Sequence, residues 1–299
     1  MPLNFSIIIN LFMTKILVTG ANGQLGQSFR LIADQFLNFQ FLFIDLPELD
    51  LSIKEQFSDF FEVNLIDFVI NCAAYTDVDQ AEDEVQLTRE ANLNIVNNLC
   101  ELSQKYHFKL IQLSTDYVFD GKVSKPYEVD HPSNPISIYG KSKAAAEKAI
   151  LNAEIDAWII RTSWLFSPFG NNFVKTIFSL LQNKNEIDVV ADQTGSTTYA
   201  LDLSRFILQA ISQKPDFNGS EIYHFTNTGA TTWFDLACAI KNEMNTDCEI
   251  NPVKTEDYPS KAKRPKYSVL SCEKTINEFN LNPNSWELAL IDCLNHLKN

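Results

Sequence analysis

Lys15-Ile16-Leu17-Val18-Thr19-Gly20-Ala21-Asn22-Gly23-Gln24-Leu25-Gly26-Gln27-Ser28-Phe29-Arg30 is an apolar, β-branched run that enters a glycine-rich turn and leaves it as a helical pattern. A strand, a tight turn and a helix in that order open a dinucleotide-binding βαβ unit. Gly20 suits the turn itself. Gly23 lets the backbone approach a pyrophosphate, and Gly26 permits the helix to pack closely on the strand. The amides at the helix start, around Gln24 and Leu25, then face the anion without any basic side chain. A second strand pattern, 40–44, ends at Asp45, about twenty residues past the glycine turn, where an acid meets the adenosine ribose hydroxyls. A carboxylate there repels a 2'-phosphate by about 1 kcal/mol in water and about 4 at an effective dielectric of 20, which favours NADH without excluding NADPH.

Working outward, Tyr139 and Lys143 stand four residues apart, on one helix face. A ketone that accepts hydride must also receive a proton, and a tyrosine gives it readily only if its pKa falls from about 10 toward neutrality. A drop of roughly three units is about 4 kcal/mol of differential stabilisation. An ammonium one turn away is expected to supply it. Upstream, Thr115 in Ser114-Thr115-Asp116-Tyr117-Val118-Phe119 offers a short hydroxyl for the carbonyl being reduced.

Strand patterns at 15–19, 40–44, 68–71, 109–113 and 157–161 alternate with helical ones that include 24–33, 85–106 and 139–151, as a doubly wound parallel sheet requires. Each candidate group falls just beyond a strand's carboxyl end, where ligands bind in such sheets. Asn71-Cys72-Ala73-Ala74-Tyr75-Thr76 follows a strand with small residues that let a cofactor lie against the backbone. After about Ser163 the alternation gives way to Asn, Thr, Pro and aromatics, a composition suited to a substrate pocket. Ala262-Lys263-Arg264-Pro265 is the one concentrated positive stretch, and the planar fork of Arg264 suits a pyrophosphate.

The chain has 299 residues, 45% hydrophobic, with a net charge of −14. That length supports one large or two moderate domains. The charge speaks against nucleic acid and against an anionic membrane surface, since no basic stripe is available to meet phosphates. Six cysteines, at 72, 100, 238, 248, 272 and 293, show no Cys-x-x-Cys spacing and read as reduced thiols of a cytoplasmic chain. Residues 1–12 are apolar but lack both a basic start and a small-residue cleavage site, and are read as a non-structural extension ahead of Met13.

These motifs carry a resemblance. Together with Asn71-Cys72-Ala73-Ala74-Tyr75-Thr76-Asp77-Val78-Asp79, Ala81-Glu82, Arg161-Thr162-Ser163-Trp164, Gly170-Asn171-Asn172-Phe173, Asp192-Gln193-x-Gly195 and Arg264-Pro265-x-x-Ser268, they resemble the extended short-chain dehydrogenase/reductases, and within them the dTDP-4-dehydrorhamnose reductase family. The match runs from Lys15 essentially to the end. It implies an α/β fold: a Rossmann-like doubly wound parallel sheet at 13–162, rejoined near 186–214, with a smaller mixed α/β domain for the sugar nucleotide at 163–185 and 215–299. It further implies Tyr139 as general acid, Lys143 as the residue that lowers its pKa and holds the nicotinamide ribose, and Thr115 on the C4 carbonyl. Thr115, Asp116 and Trp164 would contact the sugar of a dTDP-linked substrate. Asp50, Leu51, Ala74, Tyr75, Thr76 and Leu113 would line NADH or NADPH.

Some family members dimerise around a magnesium ion held by glutamates. Leu201 and His296 stand at those places here, without the hard oxygen ligands magnesium requires, so a monomer and a homodimer both remain open. The same superfamily contains sugar-nucleotide epimerases and 4,6-dehydratases. The latter typically follow the threonine with Asp-Glu, whereas Tyr117 follows Asp116 here. It also contains a non-catalytic regulatory subunit of methionine adenosyltransferase, to which the presence of Thr115, Tyr139 and Lys143 gives little support.

Overall fold

The computed structural model describes residues 13–298, so the expected extension at 1–12 lies outside the described residues. In chain order come β1 (Thr14–Thr19), α1 (Gln24–Ile32), β2 (Phe39–Ile44), α2 (Lys54–Val63), β3 (Phe68–Asn71), α3 (Val85–Arg89), α4 (Ile95–Tyr106), β4 (Lys109–Thr115), α5 (Ile138–Asn152) and β5 (Ala157–Thr162). The second part contributes β6 (Leu165–Phe166), α6 (Phe173–Asn183), β7 (Glu186–Val190), β8 (Thr194–Gly195), β9 (Thr198–Tyr199), α7 (Ala200–Gln213) and β10 (Ser220–His224). It closes with β11 (Thr231–Thr232), α8 (Trp233–Met244), β12 (Glu249–Val253), α9 (Glu273–Phe279) and α10 (Trp286–Lys298).

Six strands form the main sheet in the order β10-β5-β4-β3-β1-β2, every neighbouring pair parallel. All of β3 and β5 is buried. Helices cover both faces of a parallel sheet, so its central strands carry apolar runs instead of alternating patterns. One cluster, including Leu17, Leu99, Leu110 and Ile159, lies under α2, α4 and α5. The larger one joins Ile16, Phe29, Ile160 and Ile207 and continues into the second part of the chain. Strand order reverses at β1, between β3 and β2, and a crevice at such a switch point is where an open α/β sheet takes its ligand.

Three expectations change. Ser220–His224, expected in the smaller domain, is the edge strand of the main sheet, paired with β5 from Ser220↔Ala157 to His224↔Arg161. Of the expected return at 186–214, α7 packs back on the main body, against α1, and Thr198 accepts a hydrogen bond from Thr162 at the end of β5. Glu186–Val190 pairs instead with Glu249–Val253 in a separate parallel ribbon. The expected single helix 85–106 is interrupted by a π turn, Glu90–Asn94. The extra residue per turn aims Asn92 at the segment after β3: Oδ1 accepts from Tyr75 N at 2.8 Å, and Nδ2 donates to Tyr75 O at 3.0 Å and Ser142 Oγ at 3.0 Å.

Candidate functional site

The glycine turn is built by sterics. Gly20 has φ +61, and a Cβ on it would sit 2.6 Å from Ala73 N, against the segment after β3. A Cβ on Gly26 would meet Ala21 Cα and Gly20 O at 2.5 Å, which is the close helix packing expected there. Gly23 meets only Gly20 O, at 3.2 Å, so its outer side is open to a ligand. Gly23 also caps α1 with no side chain of its own, leaving the first amides of the helix directed outward. Asp45, at the end of β2, accepts from Asn22 N at 2.7 Å and Leu46 N at 2.8 Å, which fixes its carboxylate beside the turn. Free amides, an open glycine and a fixed acid together fit a dinucleotide.

Gly20, Gly23 and the start of α1 border a cleft of about 530 Å³, while Asp45 stands outside its lining. Gly20, Gly23, Gln24, Leu25, Ala74, Thr76 and Leu113 line it, together with Thr115, Asp116, Tyr139, Lys143 and Trp164. Asp50 and Leu51 stand outside this lining. Asp50 Oδ1 accepts from Ser52 N and Ser52 Oγ, and Leu51 is packed in the core. The Tyr75 side chain is also turned away, its hydroxyl donating to Glu84 Oε2 at 2.7 Å.

Helix α5 carries Tyr139 and Lys143 in its first two turns, started by Ser137, whose Oγ accepts from Gly140 N at 3.1 Å. Gly140 has no room for a side chain: a Cβ there would lie 2.2 Å from Tyr117 O. That close approach brings Tyr139 beside the end of β4, with its ring edge-on to Tyr117 at 5.6 Å. Thr115 Oγ1 donates to Asp116 Oδ1 at 3.0 Å and accepts from Tyr117 N. Asp116 Oδ2 is buried without a hydrogen-bond partner among the described residues.

The electrostatics correct one expectation. Burial pushes the Tyr139 phenol up to about 12, opposed by a hydrogen bond from Thr115 and reinforced by Asp116. Lys143 donates to Leu113 O at 2.6 Å, and burial brings its ammonium down to about 8 against the pull of Glu147 and Cys72. In the free protein, desolvation therefore outweighs any help Lys143 gives to the phenolate. Asp116 is raised to about 6 by burial, against the neighbouring Ser268 and Thr115 hydroxyls.

Trp164 holds a left-handed backbone (φ +45), an uncommon conformation for a bulky side chain. Its indole stacks on Trp233 with centroids 3.6 Å apart. Trp233 borders both the cleft and a second pocket of about 270 Å³, lined by Phe173, Leu180, Val190, Gln193 and Arg264 among others. Arg264 is thus at a pocket, but its fork is occupied: Nη2 donates to Asp79 Oδ2 at 2.6 Å and Nη1 to Oδ1 at 3.2 Å. The sequence reading missed Trp233, Asn172 and the pairing of Arg264 with Asp79. Asn172 donates to Gln24 Oε1 at 2.9 Å across 148 residues. Contacts at such separations leave no local signal, although Asn172, Asp79 and Arg264 each stood in a quoted motif.

Among the described residues, no group of three or more His, Cys, Asp or Glu is placed to hold a metal ion. Leu201 is core and His296 lies exposed on the last turn of α10. No helix among them is long and apolar enough to cross a membrane.

A switch-point crevice lined by both a glycine turn and a Thr-Tyr-Lys set defines a nicotinamide-dependent short-chain dehydrogenase/reductase of the extended kind. The family model described as "RmlD substrate binding domain" matches residues 13–299. The dTDP-4-dehydrorhamnose reductase of Aggregatibacter actinomycetemcomitans is 39% identical over 93% of this chain and 97% of its own. Two solved dTDP-4-dehydrorhamnose reductases superpose with TM-scores of 0.90. That of Clostridium acetobutylicum is 34% identical, covering 96% of this chain and 100% of that one. That of Bacillus anthracis, in complex with NADP, is 36% identical, covering 94% and 99%. The chain belongs to the dTDP-4-dehydrorhamnose reductase family.

Proposed function

We propose that the chain reduces the C4 keto group of dTDP-4-dehydro-β-L-rhamnose to give dTDP-L-rhamnose, with NADH or NADPH as reductant. The observation that carries this is the convergence of Thr115, Tyr139 and Lys143 in one cleft that the glycine turn also lines. When bound, the reduced nicotinamide supplies the hydride. The amides after Gly23 hold the pyrophosphate, and Asp45 takes the adenosine ribose.

Tyr139 stays protonated through the neutral range and gives its proton to the oxygen that was the C4 carbonyl. Its O–H bond breaks as the new alcohol O–H forms. Thr115 donates to that oxygen once its hydroxyl proton turns from Asp116 Oδ1, to which it points in the free protein, while Tyr117 N keeps the Thr115 oxygen in place. Lys143 supplies the positive charge that meets the phenolate left behind, and it also binds the nicotinamide ribose. Trp164 and Asp116 bound the sugar, while the pocket beyond Trp233, with Arg264 at its border, takes the nucleotide end. The main-sheet part of the chain serves the cofactor, and the part built on β7 and β12 serves the sugar nucleotide. Six free cysteines and an acidic composition agree with work in the reducing cytoplasm.

The test is to supply dTDP-4-dehydrorhamnose and follow loss of reduced cofactor. Net oxidation is expected, and Tyr139→Phe should lower kcat by about 10²–10⁴, the range general acid catalysis contributes. Absence of oxidation by the wild-type chain overturns the reading. Equal rates for Tyr139→Phe remove Tyr139 as the acid.

A further inference from the structure

Behind Lys143, one more turn along α5, stands a charge the reaction does not name. Glu147 is 4% exposed and Arg161 3% exposed. Arg161 Nη2 donates to Glu147 Oε2 at 2.7 Å and Nε to Oε1 at 2.9 Å, a bidentate pair between α5 and β5. Ser114 Oγ donates to the same Oε1 at 2.5 Å from the end of β4, one residue before Thr115. Arg161 is held in turn by Val129 O, by His224 Nε2 and by the face of Phe119. Tyr139, Lys143 and Glu147 are spaced i, i+4, i+8 and share a helix face.

A buried ion pair is seldom worth its desolvation in stability alone, and a well-packed apolar pair of like volume often serves as well. The place of this pair gives it another use. We propose that Glu147, fixed by Arg161, is a positioning residue for the reduction: it supplies the counter-charge to the Lys143 ammonium and, through Ser114, locks the strand end that bears Thr115 to the helix that bears Tyr139. This rests on the reading of Thr115, Tyr139 and Lys143 as the reducing set. The groups facing Lys143 are Tyr139 and Glu147 on its own helix and Cys72 from the segment after β3. Those around Glu147 are Arg161 from β5 and, against Arg161, His224 from β10. Glu147 is the only carboxylate of these five, and with Cys72 it opposes the effect of burial on Lys143.

The experiment compares Glu147→Gln with wild type in two profiles against pH: kcat/KM for the keto sugar nucleotide, and NADH affinity by fluorescence titration without substrate. Removing the anion should move the alkaline limb of both to lower pH by about one unit, a tenfold loss at a pH on the limb. Glu147→Asp, which keeps the charge, should hold the limb near its wild-type place. If Glu147→Gln fails to fold, the double variant Glu147→Met with Arg161→Met avoids an unpaired buried charge and should show the same direction of shift. Limbs that superimpose on wild type in a folded variant overturn the inference and leave the reductase reading standing. A wild-type chain that binds NADH but does not oxidise it with the substrate fails the reductase reading instead, while the binding profile still tests Glu147.

Discussion

Asp116 places two demands on one carboxyl group. Oδ1 accepts a hydrogen bond from Thr115 Oγ1, while Oδ2 is buried beside the Ser268 hydroxyl with no hydrogen bond of its own among the described residues. With its carboxyl raised to about 6, the group is charged above that pH and neutral below it. The acceptor and its hold on Thr115 should weaken together as pH falls, giving kcat/KM an acid limb near pH 6. Asp116→Asn should abolish that limb and lower kcat/KM by roughly 10- to 100-fold, the worth of a hydrogen bond to a charged group; a persisting limb assigns it to another residue. At this scale the sequence was informative where a residue type has few uses, as with Gly20 and the Tyr139–Lys143 spacing. It was silent on how burial would set the charge of Tyr139, because desolvation depends on neighbours such as Asp116 and Thr115 whose packing no spacing records.

Helix α5 depends on a residue that opposes helix formation. Glycine in a helix interior costs about 1 kcal/mol relative to alanine, yet Gly140 lets the helix approach Tyr117 O to a distance no Cβ allows. Gly140→Ala should therefore lose stability despite its better propensity, by about 1–3 kcal/mol. It should also lower kcat more than cofactor affinity, since the strain falls between Tyr139 and the strand end at Thr115. Denaturant midpoints and initial rates check both; an unchanged or higher midpoint contradicts the packing account. The strands from β1 to β5 were legible because a doubly covered parallel sheet writes continuous apolar runs. Two elements were not. Ser220–His224 is a short edge strand with Glu221 exposed, and its pattern resembles a loop. The π turn at Glu90–Asn94 sits inside an otherwise unbroken helical pattern, and its cause is the distant partner of Asn92.

Across the molecule, His224 ties acid stability to the junction of the main sheet with the segment around Ser271. Burial and the Arg161 charge bring its imidazole down to about 3 from its usual 6.5. A depressed pKa means that its contribution is fully present above 6.5 and is lost as pH falls toward 3, because only the unfolded chain takes up the proton. By pH 5 that loss is about 2 kcal/mol. Asp116 acts oppositely between 6 and its unfolded value, since the folded carboxyl is the better proton acceptor there. Unfolding free energies from urea titrations should therefore fall less between pH 7 and 5 in His224→Gln than in wild type, by about 2 kcal/mol over the interval. Parallel curves would remove His224 from the account. The seam between the two parts of the chain has a second tie at Asp79, which takes the Arg264 fork and the amides of Lys261 and Ala262. Arg264→Met should loosen that seam and raise KM for the nucleotide sugar while leaving NADH affinity near wild type.

The stacked indoles of Trp164 and Trp233 have an optical consequence. Two indoles stacked nearly parallel, 11° between planes and 3.6 Å between centroids, couple their excited states, so the pair should give a circular dichroism couplet distinct from the signals of Trp158 and Trp286. The pair stands where the sugar ring would give way to the nucleotide. Any ligand that moves either ring changes the couplet without turnover, and the chain carries its own spectroscopic reporter of occupancy.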